Sequence, residues 1–415
     1  MYAVASEFPA MNAMIANSKY PVVKLKKGAE RRLLQGHLWV FSNEIDVEAT
    51  PLKEFEAGQT VAVESRNGKP MGVGYINPAT LISVRLLAGQ NTRLAELETD
   101  DLLRLRLDNA FQLRQQIYSE PFYRLVHAEG DLLPGLVVDR FDNVLIAQIT
   151  TAGIERSAET IVSHLAKLTG AAVIHFDNHS RLREMENLCS DDNTALGQLP
   201  QMLSVRENGC EFQIPGSGGQ KTGWFYDHRD NRAKVGNLCD GKRVLDVFSY
   251  AGGWSIAAAV AGADEVTAVD SSQPALDHLQ SNAGLNKVAG KVQVICSDAI
   301  EALKKLAADG KQYDVVISDP PAFIKRKKDF KKGVQHYELL NRLAAKLVAK
   351  GGLLATASCS QAMPLADLMA AARRGAVKSG NELHIMHSLT QGPDHPWIAG
   401  VPETQYLKGL LARLA

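Results

Sequence analysis

The pattern of apolar and polar positions changes its period twice along the chain. Between Pro21 and Gly89, short runs alternate apolar and polar residues and end at turn signals such as Asn67-Gly68, which predicts a small β-barrel. Apolar positions over Leu94–Tyr118 recur at helical spacing, and the strands beyond them enclose one helix over Ile154–Leu168. From about residue 203, apolar strands alternate with helices, which is typical of a doubly wound parallel sheet. The predicted domains are a flexible tail (1–19), a barrel (20–92), an α+β middle domain (93–200) and an α/β domain (201–415).

The stretch Val244–Trp254 (VLDVFSYAGGW) predicts a nucleotide site. An apolar strand carrying Asp246 leads into Gly252-Gly253, and an Ala-rich helix over Trp254–Ala261 follows. A strand, a glycine turn and a helix let the backbone come close to a nucleotide and offer it helix N–H groups. The G-x-G-x-x-G spacing of dinucleotide sites is absent, and an acid followed by two adjacent glycines favours S-adenosylmethionine (SAM).

Three carboxylates follow successive strands of the predicted sheet. Asp270 and Asp319 come directly after the runs at 265–269 and 314–318, and Asp298 follows the run at 292–296 after one intervening residue. Ligands of such sheets bind beyond the carboxyl ends of the strands, so these side chains are expected to line one site. Asp270 stands roughly 20 residues beyond the glycine turn, where a carboxylate accepts both ribose hydroxyls. Asp298 is placed to accept from the adenine amine.

The segment Asp319-Pro320-Pro321 predicts a stiff loop, because proline fixes φ and removes an amide donor. Such a loop can hold a flat ring beside the methyl group of the cofactor. In amino-group methyltransferases the residue after the prolines is aromatic, whereas here it is Ala322. Amino-group methylation is therefore a weaker alternative that stays open.

Cys359 is the predicted nucleophile, since it follows an apolar strand at the end where ligands bind. Cytosine C5 is a poor nucleophile, and a thiolate that adds at C6 turns the ring into an enamine able to attack a methyl sulfonium. This chemistry needs a partly exposed cysteine whose pKa is lowered, for which nearby lysines are expected. Cys296, in contrast, is expected to be a core residue.

Composition limits the partners. The 415 residues carry no net charge, so a polyanion must be bound by local basic patches. Two such patches are present, and both are predicted to bind RNA: Lys24, Lys26, Lys27, Arg31 and Arg32 in the barrel, and Lys325, Arg326, Lys327 and Lys328 beside the Pro-Pro loop.

The cysteines and the apolar runs bear on the compartment. Five cysteines without a C-x-x-C pair predict neither disulfides nor a metal site, and they favour a reducing cytoplasm. No signal peptide is recognised, and no apolar run approaches the roughly 20 residues that span a bilayer. Whether the chain forms a homodimer is left open.

Seven segments together carry a family resemblance: GHLWVFSNEI, EGDLLPGLVVDRF, KTGWFYDHRDNR, VLDVFSYAGGW, SDPPAF, SCSQAM and DHPWIAGVPETQYLKG. With them the chain resembles the bacterial large-subunit ribosomal RNA methyltransferase I family, whose members use SAM to form 5-methylcytosine in 23S rRNA. The resemblance implies a PUA-like RNA-binding barrel, a middle domain and a Rossmann-like class I methyltransferase domain. Large-subunit rRNA is the implied partner.

The resemblance also implies roles for individual residues. It places Tyr226, Asp227 and Arg229 against the cofactor, together with Asp246, Ser249 and the Gly252-Gly253 turn near its methionine portion, Asp270 at its ribose and Asp298 at its adenine. Asp319 is implied to contact both the cofactor and the target base, and Cys359 to attack that base. Many RNA cytosine-5 enzymes carry a second cysteine directly after the motif proline, where this chain has Ala322. Uracil-5 methylation therefore stays open, as does the base that removes the C5 proton, for which Asp319 and a water relay are the candidates.

Overall fold

The computed structural model describes residues 19–89, 97–190, 192–217, 223–324 and 326–415, without the side chain of Lys327. The predicted tail over 1–18 lies outside the described residues. The described chain divides into two compact units. The first holds residues 19–119, 124–199 and 396–404, and the second holds 120–123, 200–395 and 405–415.

The first unit begins with a small closed barrel. Its helix α1 covers Arg31–Leu34, and its strands are β1 (Val22–Lys24), β2 (Trp39–Phe41), β3 (Gln59–Glu64), β4 (Pro70–Ile76) and β5 (Ile82–Gly89). The strand order is β1-β3-β4-β5-β2. A bridge between Leu25 and Ile45 joins the two edges of this sheet, and closure removes the unpaired edges. The predicted barrel is confirmed.

The first unit also holds a five-stranded sheet with order β10-β9-β8-β7-β6, except for the first two residues of β6, which belong to the second unit. Its strands are β6 (Phe122–His127), β7 (Leu136–Phe141), β8 (Val144–Ile149), β9 (Val173–Phe176) and β10 (Asn193–Leu196). Its helices are α2 (Thr99–Ile117), α3 (Ala152–Arg156), α4 (Ala158–Thr169) and α5 (Arg181–Met185). The prediction of one helix over 154–168 is wrong, because Ser157 leaves the helical region (φ −104°, ψ 15°) and its hydroxyl donates to Asp100.

A segment from near the C-terminus packs on the barrel. Ile398 and Val401 contribute to the barrel core, and Val401 is fully buried. Gly400 lies so close to Gly36 that an added Cβ would stand 2.5 Å from the Gly36 carbonyl carbon. The sequence pattern did not predict this contribution, because the segment has no strand or helix period.

The second unit begins with a hairpin of β11 (Met202–Glu207) and β12 (Cys210–Pro215), followed by helix α6 (Arg229–Gly236). A seven-stranded sheet follows, made of β13 (Arg243–Val247), β14 (Glu265–Asp270), β15 (Val292–Cys296), β16 (Tyr313–Ser318), β17 (Val348–Ser358), β18 (Leu383–Thr390) and β19 (Lys408–Leu414). Its helices are α7 (Gly253–Val260), α8 (Gln273–Leu285), α9 (Ala299–Ala308), α10 (Phe330–Leu347) and α11 (Leu365–Lys378). The hairpin, α11, β18 and β19 were not predicted.

The order β15-β14-β13-β16-β17-β19-β18 sets the position of the site. Strands β13 to β17 are parallel, and β19 runs antiparallel between β17 and β18. The chain adds β14 on one side of β13 and later adds β16 on the other side. The order in which strands are added to the sheet therefore reverses at β13. In doubly wound sheets a ligand crevice forms at such a reversal. The predicted doubly wound architecture is confirmed, and the carboxyl ends of β13, β14 and β16 are where ligands are expected.

Candidate active site

The glycine turn after β13 is conformationally demanding. Gly252 has φ +92°, and a Cβ there would lie 2.8 Å from Leu279 Cγ, so the position excludes larger residues. Phe248 (φ 69°) and Tyr250 (φ 48°) also adopt the left-handed region that bulky residues avoid. Strain of this kind is concentrated at functional sites.

Asp246 and Ser249 each have a buried side-chain oxygen that could bind a ligand. Asp246 is fully buried in β13, and its Oδ2 accepts a 2.6 Å hydrogen bond from Ser255. Burial raises the pKa of Asp246 to about 7. Among the described residues, neither Asp246 Oδ1 nor Ser249 Oγ has a hydrogen-bond partner, although both atoms are buried. Buried polar atoms without partners are costly, so this pocket fits a cationic or polar group such as the methionine ammonium of SAM.

Asp270 and Asp298 lie at the ends of the neighbouring strands β14 and β15. The half-buried Asp270 carboxylate is oriented by the N–H groups of Tyr250 and Ser272, each at 2.9 Å. Asp298 is exposed and caps α9, with Oδ1 accepting from the N–H groups of Ile300 and Glu301. Asp270 is therefore held in a fixed orientation at the end of its strand, whereas Asp298 has the geometry of an ordinary helix cap.

Tyr226, Asp227 and Arg229 are buried at the start of α6 and bonded to other protein groups. Asp227 Oδ2 accepts a 2.5 Å hydrogen bond from the Tyr406 hydroxyl. The Arg229 guanidinium donates to the Phe122 carbonyl and lies 5.0 Å from the centre of the Tyr226 ring. These three residues hold α6 in place.

Asp319, directly after β16, is held by two N–H donors. Its Oδ2 accepts from Trp254 Nε1 and pairs with His228 Nε2, each at 3.2 Å. Asn231 Nδ2 donates to the Thr390 carbonyl at 2.9 Å and lies 3.1 Å from His228 Nδ1. Since the amide nitrogen only donates, His228 Nδ1 accepts and its Nε2 carries the hydrogen that points at Asp319.

This arrangement keeps Asp319 ionised. Burial acts to raise the pKa of Asp319, but the electrostatic attraction and hydrogen bond of the His228 Nε2–H group, together with the hydrogen bond from Trp254, outweigh it and hold the pKa below its usual value. His228 and Asn231 were not predicted as site residues. The signal was their position in the segment KTGWFYDHRDNR, next to Asp227 and Arg229.

Cys359 faces the Pro-Pro loop. Its half-buried Sγ lies 4.0 Å from the Pro320 carbonyl oxygen, one residue beyond the end of β17. The Tyr337 hydroxyl joins the hydroxyls of the two flanking serines, at 2.8 Å from Ser358 Oγ and 3.0 Å from Ser360 Oγ. The loops that carry Asp319 and Cys359 are therefore neighbours.

The other cysteines differ from Cys359 in exposure or in pKa. Cys210 and Cys239 are buried, and burial raises the pKa of these thiols to about 11 and about 12. Cys189 and Cys296 are exposed. The expectation that Cys296 is a core residue is wrong, because its side chain at the end of the edge strand β15 faces out of the sheet core.

Most of the described basic residues that were predicted to bind RNA are exposed. In the barrel, the exposed side chains are Lys24, Lys26, Lys27 and Arg31. Arg32 is half-buried, since its guanidinium donates to both carboxylate oxygens of Glu44 at 3.0 Å and stands 4.7 Å from the Phe41 ring centre. In the second unit, Arg326 and Lys328 are exposed, while Lys325 and the side chain of Lys327 lie outside the described residues.

Two kinds of feature are absent from the described ranges, namely clusters of metal ligands and helices that could span a membrane. There, no cluster of three or more His, Cys, Asp or Glu side chains could hold a metal ion. None of the helices described is both long and apolar enough to cross a membrane.

Two family models match this chain. One, described as an S-adenosylmethionine-dependent methyltransferase, covers residues 124–413, and the other, a PUA-like domain, covers residues 23–88. They agree with the predicted order of a PUA-like barrel followed by a SAM-dependent methyltransferase domain.

Curated relatives cover almost all of the chain. A ribosomal RNA large subunit methyltransferase I from Shewanella amazonensis is 35% identical over 398 residues, which are 94% of this chain and 99% of the relative. A protein of the same name from Enterobacter sp. (strain 638) is 32% identical, over 94% of this chain and 98% of the relative.

Solved structures share the fold over the same length. A candidate SAM-dependent methyltransferase from Streptococcus mutans superposes with a TM-score of 0.79 at 19% identity, covering 95% of this chain and 100% of that one. A second candidate methyltransferase, complexed with SAH, superposes with a TM-score of 0.80 at 20% identity. The chain therefore belongs to the ribosomal RNA large subunit methyltransferase I family of SAM-dependent methyltransferases.

Proposed function

We propose that this enzyme forms 5-methylcytosine in 23S ribosomal RNA and that Cys359 attacks C6 of the target base. The observation that carries the proposal is the placement of a half-buried thiol 4.0 Å from the Pro320 carbonyl, at the carboxyl edge of the sheet that also bears Asp246 and Asp270. A nucleophile beside the cofactor end of the sheet is what C5 chemistry needs, because the ring must be activated while the methyl donor is bound. Methylation of an amino group needs no thiol there.

The cofactor is assigned to the crevice at the end of β13. Asp246 Oδ1 and Ser249 Oγ, the two buried atoms without described partners, would take polar groups of the methionine portion. Asp270, held by Tyr250 and Ser272, would accept the ribose hydroxyls, and Asp298 would receive the adenine amine. SAM supplies an electrophilic methyl group on a sulfonium.

The residues of this chain carry the covalent steps. The Cys359 thiolate forms a bond to C6, and the electron pair of the C5–C6 double bond then serves C5 as a nucleophile that takes the methyl group. The C5 proton leaves to a base, the C5–C6 double bond forms again, and the C6–S bond breaks to return the thiolate. Cytosine and the methyl donor thus give 5-methylcytosine, the demethylated donor and one proton.

Asp319 is our candidate for both recognition of the base and removal of the C5 proton. Its Oδ2 is occupied by Trp254 and His228, so Oδ1 is the oxygen left for substrate. An ionised carboxylate only accepts hydrogen bonds, and the exocyclic amine of cytosine donates, whereas O4 of uracil does not. This difference favours cytosine.

RNA is assigned to the two basic patches. Lys24, Lys26, Lys27 and Arg31 are exposed on the barrel, and Arg326 and Lys328 follow the Pro-Pro loop. Lysine and arginine side chains bind the phosphate backbone without regard to sequence, so the patches would supply affinity and the active site would supply base selection. We assign the reaction to the cytoplasm, in agreement with the five free cysteines.

The experiment is methylation of unmodified rRNA by the pure protein with methyl-labelled SAM, followed by mass mapping of the labelled nucleotide. The expected product is one cytosine of 23S rRNA with the label on C5. A label on uracil C5 or on a base nitrogen would overturn the assignment.

A further inference from the structure

Lys408 is a nearly buried lysine beside the candidate nucleophile. It is the first residue of β19, and in the antiparallel pairing of β17 and β19 it stands opposite Ser358. The residue is 9% exposed, and its Nζ donates a 2.8 Å hydrogen bond to the Ser360 carbonyl. The lysine therefore contacts both residues that flank Cys359.

Lys408 has no carboxylate partner within ion-pair distance among the residues that the structure describes. A buried ammonium without an anion is costly, which is why lysines seldom lie in protein interiors. Burial lowers the pKa of Lys408 to about 8, and attraction to Cys359 acts in the opposite direction. The side chain is thus mostly charged at pH 7, and a thiolate at Cys359 is the anion available to it.

The other groups near the thiol do not supply this charge. Tyr337, from α10, is neutral at physiological pH, and its pKa is raised by burial and further by Cys359. Asp319 precedes the proline whose carbonyl faces the thiol, and its carboxylate, which accepts hydrogen bonds from His228 and Trp254, is itself an anion. A thiolate in these surroundings needs a cation, and β19 places Lys408 there.

We propose that Lys408 is the positioning residue that holds Cys359 in its thiolate form, ready to add to the base. The proposal rests on the nucleophilic role of Cys359 proposed above. Lys408 transfers no proton and forms no covalent bond. Its ammonium stabilises the sulfur both before addition to C6 and when the sulfur is released.

The test measures the thiol directly, without RNA or SAM. The exposed Cys189 and Cys296 are first replaced by alanine, and alkylation by iodoacetamide is followed against pH, with Cys359→Ala identifying the signal. Lys408→Met is expected to move the midpoint of the alkylation profile upward by about one pH unit or more and to slow alkylation at pH 7 about tenfold. Lys408→Arg, which keeps the charge, should stay near the unsubstituted protein.

One further variant separates the charge of Lys408 from its hydrogen bond to Ser360, and another serves as a control. Lys408→Gln keeps a donor for the Ser360 carbonyl but no charge, so it should behave like Lys408→Met. Lys350→Met removes an exposed lysine at the opposite end of β17 and should change nothing. Circular dichroism shows whether Lys408→Gln and Lys408→Met are folded. An unchanged alkylation midpoint in both folded variants would overturn the proposal and leave Lys408 only its hydrogen bond to the Ser360 carbonyl.

The outcome is independent of the proposed function. If the midpoint moves but Cys359→Ala still forms 5-methylcytosine, the link between Lys408 and the thiol stands and the nucleophilic role of Cys359 fails. If Cys359→Ala is inactive while the midpoint stays fixed, the reverse holds.

Discussion

Gly252→Ala tests whether the turn at the cofactor crevice tolerates any side chain. Two costs add there. An L-residue in the left-handed region costs roughly 1–2 kcal/mol, and a methyl group placed 2.8 Å from Leu279 Cγ forces a shift that costs roughly 1–3 kcal/mol more. The expected loss in the free energy of unfolding is therefore about 2–5 kcal/mol. The binding of SAM should weaken as well, because the turn between β13 and α7 must move.

Two matched glycines separate the terms. Gly241 has φ +64° and nothing within 4 Å of an added Cβ, so Gly241→Ala should show the backbone cost alone. Gly284 lies in α8 with open space around it and no positive φ, so Gly284→Ala should stabilise the protein by up to about 1 kcal/mol. Urea-induced unfolding gives the free energies, and calorimetric titration gives the affinity for SAM. If Gly252→Ala unfolds at the same urea concentration as Gly241→Ala, the contact with Leu279 does not constrain the turn and the reasoning is wrong.

Three further predictions follow from the charges at the site and on the barrel. The pKa of Asp246 is raised to about 7, and a cationic ligand binds the carboxylate form. The affinity for SAM in calorimetric titrations should therefore fall about tenfold per pH unit below 7. This pH dependence should vanish in Asp246→Asn. His228→Ala should raise the pKa of Asp319 and shift the acid limb of the methylation pH profile to higher pH. His228→Gln keeps an N–H donor, so its acid limb should lie closer to that of the unsubstituted protein. An acid limb that does not shift in either variant would contradict the pairing of His228 with Asp319. Lys27→Gln should reduce the slope of log K for RNA binding against log salt concentration by about one unit without affecting folding. Arg32→Gln should instead lower the melting temperature of the barrel. If Lys27→Gln lowered the melting temperature and Arg32→Gln reduced the slope, that result would be evidence against the RNA surface.

Local patterns were enough to predict strands β13 to β17 and the glycine turn of the α/β domain. Each of strands β13, β14 and β15 has three or four apolar residues among five or six positions and is followed within two positions by a polar residue, so each could be recognised without its neighbours. Strand β18 could not be recognised from its own sequence, because it lies at the edge of the sheet and most of its residues are exposed. Its place in the sheet depends on pairing with β19.

The site was predictable where it depends on strand ends and not where it depends on distant contacts. Asp246, Asp270 and Asp319 follow from the rule that ligands bind beyond the carboxyl ends of parallel strands. His228 reaches Asp319 across 91 positions of sequence (319 − 228), and Lys408 reaches the Ser360 carbonyl across 48 positions. Neither contact has a local pattern, since each arises only when the sheet is assembled.

In the proposed reaction Cys359 forms a bond to C6 of a cytosine in RNA. The direct measurement uses rRNA transcribed with 5-fluorocytidine, in which C5 carries fluorine instead of the proton that must leave, so that the C6–S bond cannot break after methyl transfer. With SAM present, the unsubstituted protein should form a complex with this RNA that survives denaturing electrophoresis, and peptide mapping should place the link at Cys359. Cys359→Ala should form no such complex. A Cys359→Ala protein that still makes 5-methylcytosine in ordinary rRNA, or a link at another residue, would show that Cys359 is not the nucleophile.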